Sequence, residues 1–137
     1  MSLQASLIEL ERFMAKEWRQ YAQNDDPFCQ LSFNEFDYLR VVQLADEPIR
    51  ITDLAKQMLV SKPSASNMVV RLEKKGLVQR IACPEDARAK RVILTEKAQN
   101  NMATDDRIHS EISRKLEQKV SEQELNQLVR VLEKMLK

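Results

Sequence analysis

The sequence predicts a mainly α-helical fold interrupted by one small β-hairpin. Six segments carry apolar side chains at steps of three and four residues, the spacing of one helix face. Two runs rich in β-branched residues, LVQRIA and KRVIL, are separated by CPEDARA and indicate the two strands of a hairpin. A chain of 137 residues fits one domain and is long enough to bury a core.

The first two helices are set by an apolar stripe and by a capping pattern. The stripe spans residues 3–21, and helix one ends before the breaker run NDDP at 24–27. Ser32 and Glu35 have the spacing of a capping box, which predicts that a second helix starts at Ser32. This helix is expected to end near DEP at 46–48.

Two shorter helices follow, joined by a tight turn at LVS. Thr52 is a plausible N-cap of the third helix and Ser61 of the fourth. Gly76 is the only glycine, and it follows EKK where a helix can end in a left-handed residue. The predicted inward positions of these two helices are Leu54, Ala55, Met58, Ala65, Met68, Val69 and Leu72.

The last two helices frame the C-terminal part of the chain. Thr95 restarts a helix after the hairpin, and this fifth helix runs on to Leu116 without proline or glycine. Ser121 and Glu124 repeat the capping box and begin a sixth helix. The stripes of the first, fifth and sixth helices need a partner. We expect two copies to intertwine here, since obligate dimers commonly bury 2,000 Å² or more; the alternative is a three-helix bundle within one chain.

Composition and the search for targeting signals limit the class of protein. A hydrophobic content of 43% with 31% charged residues is typical of a soluble globular chain. No run approaches the length of a membrane span, and the N-terminus does not resemble a signal peptide, so the cytoplasm is the expected compartment. Cys29 and Cys83 are far apart and form no CxxC pair, which in a reducing compartment predicts two free thiols.

Positive charge is concentrated in one segment. Residues 61–91 hold eight Lys or Arg and three Asp or Glu, a net charge of +5 in a chain whose total is +1. The remaining residues therefore sum to −4. A local positive surface on a balanced body indicates an anionic partner. The alternative is an ordinary solvated charged surface.

The middle of the chain thus reads as helix, tight turn, helix and hairpin, a winged helix-turn-helix suited to DNA. An α-helix fits the major groove, where each base pair shows a distinct pattern of donors and acceptors. The amide of Asn67 can pair with adenine, and Arg71 can reach guanine or a phosphate. The predicted DNA-binding residues are Ser61, Lys62, Ser64, Ser66, Asn67, Arg71, Arg88, Lys90 and Arg91. Helix-start chemistry for the serines, and plain solvent exposure for the others, are the alternatives.

The hairpin supplies the last three of these side chains. Arg88 lies near the tip and is the candidate for a minor groove, where negative potential favours a guanidinium. Asp86, two residues earlier, is predicted to brace Arg88. A surface ion pair between the two, worth under about 1 kcal/mol, is the alternative.

These motifs resemble the MarR family of bacterial transcription regulators. Its LxxxGLVxR piece and its Asp-x-Arg pattern ending in an apolar run and Leu-Thr are both present. The matching residues are Leu72, Gly76, Leu77, Val78, Arg80, Asp86, Arg88, Val92, Leu94 and Thr95. The motifs cover about 45 residues, and the order of helices extends the likeness along the chain. Ala98, where relatives usually have glycine, and Ala87, often basic in relatives, depart from the pattern.

The resemblance implies a mode of action. A MarR-family regulator is an intertwined homodimer that binds pseudo-palindromic double-stranded DNA, usually as a repressor released by a small ligand or an oxidant. The fourth helix would enter the major groove and Arg88 the adjacent minor groove. The implied organisation is an N-terminal dimerisation helix and loop at 1–30, the winged helix-turn-helix at 31–95, and C-terminal dimerisation helices at 96–137.

The resemblance also suggests where a switch would lie. Residues proposed to line an effector pocket are Trp18, Tyr21, Phe36, Tyr38 and Met102; simple core and interface roles are the alternative. Thiol sensing by Cys29 or Cys83 is a second possibility. His109 lacks companion ligands, so no metal or other cofactor is expected. One glycine and one histidine leave no phosphate-cradling loop or catalytic triad, so the protein is not expected to be an enzyme. A winged-helix adaptor that binds proteins is the remaining alternative.

Overall fold

The computed structural model describes residues 1–21, 31–86 and 88–137. It contains the six predicted helices and the predicted hairpin. In chain order the elements are α1 (Leu3–Tyr21), α2 (Phe33–Leu44), β1 (Ile49–Arg50), α3 (Ile51–Met58), α4 (Lys62–Lys74), β2 (Val78–Ala82), β3 (Lys90–Leu94), α5 (Glu96–Glu117) and α6 (Glu122–Leu136). No helix in the described ranges has the length and apolar content needed to cross a bilayer.

Side-chain caps set most of the helix starts. The predicted capping boxes of α2 and α6 are confirmed: Ser32 and Ser121 each accept a hydrogen bond from the amide three residues on, and the glutamate there accepts one from the serine amide. Ser61 caps α4 by accepting from the amide of Ser64 at 3.2 Å. The prediction for Thr52 is wrong. The N-cap of α3 is Arg50, because the chain passes straight from β1 into the helix and leaves Thr52 inside it.

The sheet has one strand more than the sequence predicts. Its order is β1-β3-β2 and both pairings are antiparallel. The hairpin partners run from Val78 opposite Leu94 to Ala82 opposite Lys90. β1 adds only Ile49 opposite Val92 and the next pair. A strand of two residues shows no alternation of polar and apolar side chains, so sequence periodicity cannot reveal it.

One core holds the winged-helix part together. It is contained in a compact unit of residues 26–104, to which the first turns of α5 belong. The four predicted inward positions of α4 are all buried there. The buried members are Leu31, Tyr38, Leu39, Val42, Ile49, Leu54, Ala55, Ala65, Met68, Val69, Leu72, Leu77, Val78, Val92, Ala98 and Met102. This core fixes α4 so that its opposite face is turned to solvent.

The second compact unit comprises residues 1–25 and 105–137. Within it Ile108 and Ile112 of α5 are buried, and Lys115 contacts Glu17 of α1 through a 2.8 Å ion pair. α6 buries none of its residues. Apolar side chains of the predicted stripes remain exposed at Leu3, Leu7, Leu10, Leu128, Leu132 and Leu136. A private three-helix bundle is therefore not formed, because such a bundle would bury the α6 stripe.

Candidate nucleic-acid interface

The outer face of α4 presents polar and basic side chains. Lys62, Ser64, Asn67 and Arg71 are exposed, and Ser66 is half-buried. They alternate with the buried apolar positions at helical spacing, so packing of one face of α4 on the core directs the other outward. The structure therefore brings the predicted α4 residues together on one surface.

The serines at the start of α4 serve the helix as well. The hydroxyl of Ser61 accepts from the Ser64 amide and donates to the Ser64 hydroxyl oxygen at 2.9 Å. Helix-start chemistry, the alternative considered for these serines, is thus present. The proton of the exposed Ser64 hydroxyl is not used in this bond and can be donated to a ligand.

Ion pairing divides the eight basic residues of segment 61–91 into two groups. Three of them are compensated by carboxylates: Lys75 by Glu35 at 2.6 Å, Arg80 by Glu73 at 3.0 Å and Arg91 by Glu47 at 3.2 Å. The other five are exposed and form no salt bridge within the described parts of the chain. These five, called the cationic face below, are Lys62, Arg71, Lys74, Arg88 and Lys90. Uncompensated charge is what attracts a polyanion.

Asp86 shapes the connection between β2 and β3. Its carboxylate accepts a hydrogen bond from the main-chain amide of Arg88 at 3.0 Å, and its carbonyl oxygen accepts from the amide of Ala89 at 3.0 Å. Aspartate side chains commonly close turns in this way. The contact from Asp86 thus acts on the backbone of Arg88 and leaves its guanidinium exposed.

Arg91 does not lie on the surface with its predicted partners. Its side chain is buried, with 8% of the residue exposed, and its Nη1 donates to the carbonyl oxygen of Pro48 at 2.9 Å. Lys90 at the start of β3 is exposed, whereas the next two residues, Arg91 and Val92, are both buried. The inclusion of Arg91 among the DNA-binding residues is corrected on this ground. No local pattern predicted the burial of Arg91, because Glu47 and Pro48 are far away along the chain.

Cys83 is buried, with 3% of the residue exposed, and is a free thiol. A hydrogen bond from Nε of Arg91 at 3.4 Å lowers the pKa of the Cys83 thiol, with help from the amides of Glu85 and Asp86 and against a smaller effect of burial. Sequence analysis named Cys83 as a candidate for thiol sensing, but it did not predict the guanidinium of Arg91 as its partner. Cys29 lies outside the described residues.

The residues predicted to line an effector pocket have different surroundings. Tyr38 and Met102 are sealed in the winged-helix core, with 2% and 0% exposed, so they are packing residues and the pocket assignment is corrected for them. Phe36 is half-buried against the same core. In the terminal-helix unit, the ring of Trp18 lies 6.4 Å from that of His109. A hydrogen bond with Glu111 raises the pKa of the Tyr21 hydroxyl.

An unpredicted groove of about 930 Å³ borders the end of α2, β1 and α3. Its lining includes Val41, Leu44 and Asp53, and none of the five predicted pocket residues. The lining residues come from separate elements, so no local motif marks the groove. Across the described residues, no three His, Cys, Asp or Glu side chains group as metal ligands.

Two helices joined by a tight turn and followed by a small sheet define a winged helix-turn-helix protein. Residues 31–90 match the family model described as the MarR family. This segment therefore matches a MarR-family domain, and the resemblance of the motifs within it is confirmed.

Solved structures match over nearly the whole chain and show the same fold. A DNA complex of S. aureus MepR is 23% identical with a TM-score of 0.74, and the match covers 99% of this chain and 97% of that one. A DNA complex of Streptococcus pneumoniae FabT is 20% identical with a TM-score of 0.77, covering 98% and 95%. S. aureus MepR bound to ethidium bromide is 23% identical with a TM-score of 0.71, covering 99% and 95%. The protein thus shares the fold of these solved structures over nearly its whole length.

Proposed function

We propose that the protein is a dimeric, sequence-specific DNA-binding transcription regulator, acting in the cytoplasm. The observation that carries this proposal is the cationic face on α4 and the hairpin, whose charges have no carboxylate partners among the described residues. A protein-interaction adaptor would not need five uncompensated cations beside an exposed row of hydrogen-bonding side chains. The DNA complexes of MepR and FabT show that this fold can hold DNA.

In this proposal α4 enters the major groove. Asn67 lies in the middle of the exposed face and offers an amide for an adenine edge, while Arg71 lies one turn further on and offers a guanidinium for guanine or a phosphate. Lys62 and Lys74 contact phosphates at either end of the helix. Arg88, on a backbone shaped by Asp86, enters the adjacent minor groove.

A second copy of the chain completes the regulator. α6 buries nothing within one chain, and Leu128, Leu132 and Leu136 share its exposed stripe. Burying this stripe and that of α1 against a second copy removes a large apolar surface from water. Two-fold symmetry then matches a pseudo-palindromic operator whose half-sites lie about 10 bp apart, one helical turn.

We further propose that it acts as a repressor released by a small ligand. The MepR complex with ethidium bromide supports ligand binding by this fold. A thiol-based switch is a second candidate, supported by the guanidinium hydrogen bond that lowers the pKa of the Cys83 thiol.

The decisive experiment is titration of the purified protein into fluorescent duplexes from the DNA upstream of its own gene, at several salt concentrations. Affinity should fall steeply with salt because bound phosphates release counterions. Replacing Arg71 by Ala should weaken binding, whereas the matched replacement of Arg19, a basic residue in the last turn of α1, should not. Failure to bind any duplex at low salt would reject the proposal. Adding candidate ligands or peroxide to the bound complex tests release.

A further inference from the structure

We propose that Arg50 and Arg91 are positioning residues that hold the wing loop, defined as residues 83–86 and 88–89, in the conformation that presents Arg88. The inference rests on the proposed function, because presentation of Arg88 matters only if the wing contacts DNA. Neither arginine is proposed to touch DNA. Together the two residues are called the arginine clamp.

Arg91 ties the first residue of the wing loop to the chain between α2 and β1. Its Nε donates to Sγ of Cys83 at 3.4 Å, and its Nη1 donates to the Pro48 carbonyl oxygen at 2.9 Å. The same Nη1 lies 3.2 Å from a carboxylate oxygen of Glu47. Hydrogen bonds to Cys83 and Glu47 raise the pKa of the Arg91 guanidinium, so it stays charged. One planar group therefore joins two chain segments that are distant in sequence.

Arg50 ties down a second point of the same loop. Its Nη2 lies 2.8 Å from a carboxylate oxygen of Glu85. Arg50 stands directly opposite Arg91 in the β1–β3 pairing. Two like charges directly opposite each other in a ladder normally destabilise the sheet. Here each guanidinium has its own carboxylate, Glu85 for Arg50 and Glu47 for Arg91, and these ion pairs offset that repulsion.

These contacts reach Arg88 through the backbone of the wing loop. The amide of Cys83 donates to the carbonyl oxygen of Ala89 at 3.1 Å, which closes the base of the loop. The carbonyl oxygen of Cys83 accepts from the Asp86 amide at 3.3 Å, and Asp86 in turn accepts from the Arg88 amide. Fixing Cys83 and Glu85 therefore fixes Asp86, and Asp86 fixes the main chain that carries the Arg88 guanidinium.

The test combines two clamp variants with a double-mutant cycle. Arg91→Lys keeps the charge, but an ammonium lacks the planar fork and cannot serve Cys83, Pro48 and Glu47 together. Glu85→Gln removes only an exposed ion pair and leaves the core intact. Arg80→Lys is the matched control, because Arg80 lies on β2 of the hairpin and is also paired with a carboxylate, that of Glu73 on α4, instead of a residue of the wing loop. Duplex binding is measured for each variant alone and in combination with Arg88→Ala. Amide hydrogen exchange is measured without DNA for each variant alone.

We expect Arg91→Lys to weaken duplex binding about tenfold, equivalent to about 1.4 kcal/mol. Glu85→Gln should weaken duplex binding less, about threefold, because an exposed ion pair contributes little free energy. Both losses should disappear in the Arg88→Ala background, since the clamp acts through Arg88. Without DNA, the amides of Cys83, Asp86, Arg88 and Ala89 should exchange faster in both variants and at the wild-type rate in the control.

Two results would overturn the clamp. Losses that add fully to that of Arg88→Ala would show that Arg91 and Glu85 act independently of Arg88. Unchanged exchange of the loop amides in Arg91→Lys would show that the loop does not depend on the arginine. If the wild-type protein binds no duplex, the proposed function fails. The exchange measurement still decides whether Arg50 and Arg91 hold the loop.

Discussion

Nζ of Lys75 lies 2.6 Å from Oε2 of Glu35 and joins the end of α4 to the first turn of α2. Glu35 is buried and also serves the capping box of its own helix, where Ser32 donates to its other carboxylate oxygen at 3.2 Å. The recognition helix α4 of the proposed regulator is thus anchored at its C-terminal end by the carboxylate that also caps the start of α2.

This relationship predicts a pH-dependent stability. Burial raises the pKa of Glu35, but the hydrogen bonds from Lys75 and Ser32 outweigh it and hold the pKa below its ordinary value of 4.5. The stabilisation is therefore complete above pH 4.5 and is lost as pH falls through the lower pKa of the folded state. Glu35→Gln should lower the free energy of unfolding by about 1–2 kcal/mol near neutral pH. Urea denaturation of wild type and variant between pH 7 and pH 3 measures the difference, which should shrink in acid.

Glu124→Gln, in the exposed capping box of α6, is the matched control and should show a smaller loss. A difference that stays constant into acid would contradict the assignment.

The end of α4 predicts that Gly76→Ala destabilises the fold. Gly76 has φ +75°, and its amide and that of Leu77 donate back to the carbonyl oxygens of Glu73 and Leu72, the pattern of a Schellman motif. A methyl group there would meet only Lys97 side-chain atoms at 3.9 Å, an ordinary contact, so the cost is that of the backbone conformation. We expect a loss of about 1–2 kcal/mol in the free energy of unfolding by thermal or urea denaturation. An unchanged midpoint would show that the backbone relaxes at no cost.

The end of α3 predicts the opposite effect for Leu59→Gly. Leu59 has φ +56°, and the same pair of hydrogen bonds ends this helix, from Leu59 to Lys56 and from Val60 to Ala55. Because 92% of Leu59 is exposed, its removal sacrifices little burial. Relief of the left-handed strain should exceed the entropy cost of glycine and stabilise the fold by about 0.5–1 kcal/mol. Leu59→Ala keeps a Cβ and should bring no such gain. A gain equal in both variants would trace the effect to the exposed leucine side chain instead.

Asn67 is predicted to read one base position. Asn67→Ala should weaken operator binding by about 1–3 kcal/mol, and a panel of single-base operator variants should show relaxed discrimination at one position in each half-site. Lys74→Ala is the comparison, since a phosphate contact should weaken all duplexes alike and reduce the slope of the salt dependence by about one. A uniform loss of affinity for Asn67→Ala across the panel would show that Asn67, like Lys74, contacts the phosphate backbone of DNA.

The exposed stripe of α6 predicts that a single charge breaks the proposed dimer. Leu132→Glu places a carboxylate in the proposed interface, where an unpaired buried charge is costly, so the variant should sediment as a monomer. Its helical content should be retained, because α6 buries nothing within one chain. Arg130→Glu, on the same helix but outside the apolar stripe, should remain dimeric. A dimeric Leu132→Glu variant would place the interface elsewhere.

Local signals in the sequence identified most elements because their causes are local. The capping boxes at Ser32 and Ser121 and the left-handed glycine at Gly76 each depend on neighbours within four residues. The burial of Ala65, Met68, Val69 and Leu72 follows from one helical period. The start of α3 was missed at Thr52, because the preceding residues pair with β3 and that strand is distant in sequence.

The candidate site was likewise predictable only where its residues depend on local signals. Periodicity placed Asn67 and Arg71 on the exposed face of α4, but it could not separate Lys90 from Arg91, which differ in what the fold packs against them. By itself the sequence determined the helices, the hairpin and the outward face of α4, since these depend on backbone preference and the side-chain period. Only the tertiary structure decided which charges remain uncompensated and that Arg91 is buried against Cys83, Pro48 and Glu47, because ion pairs and hydrogen bonds depend on distances that chain order does not encode.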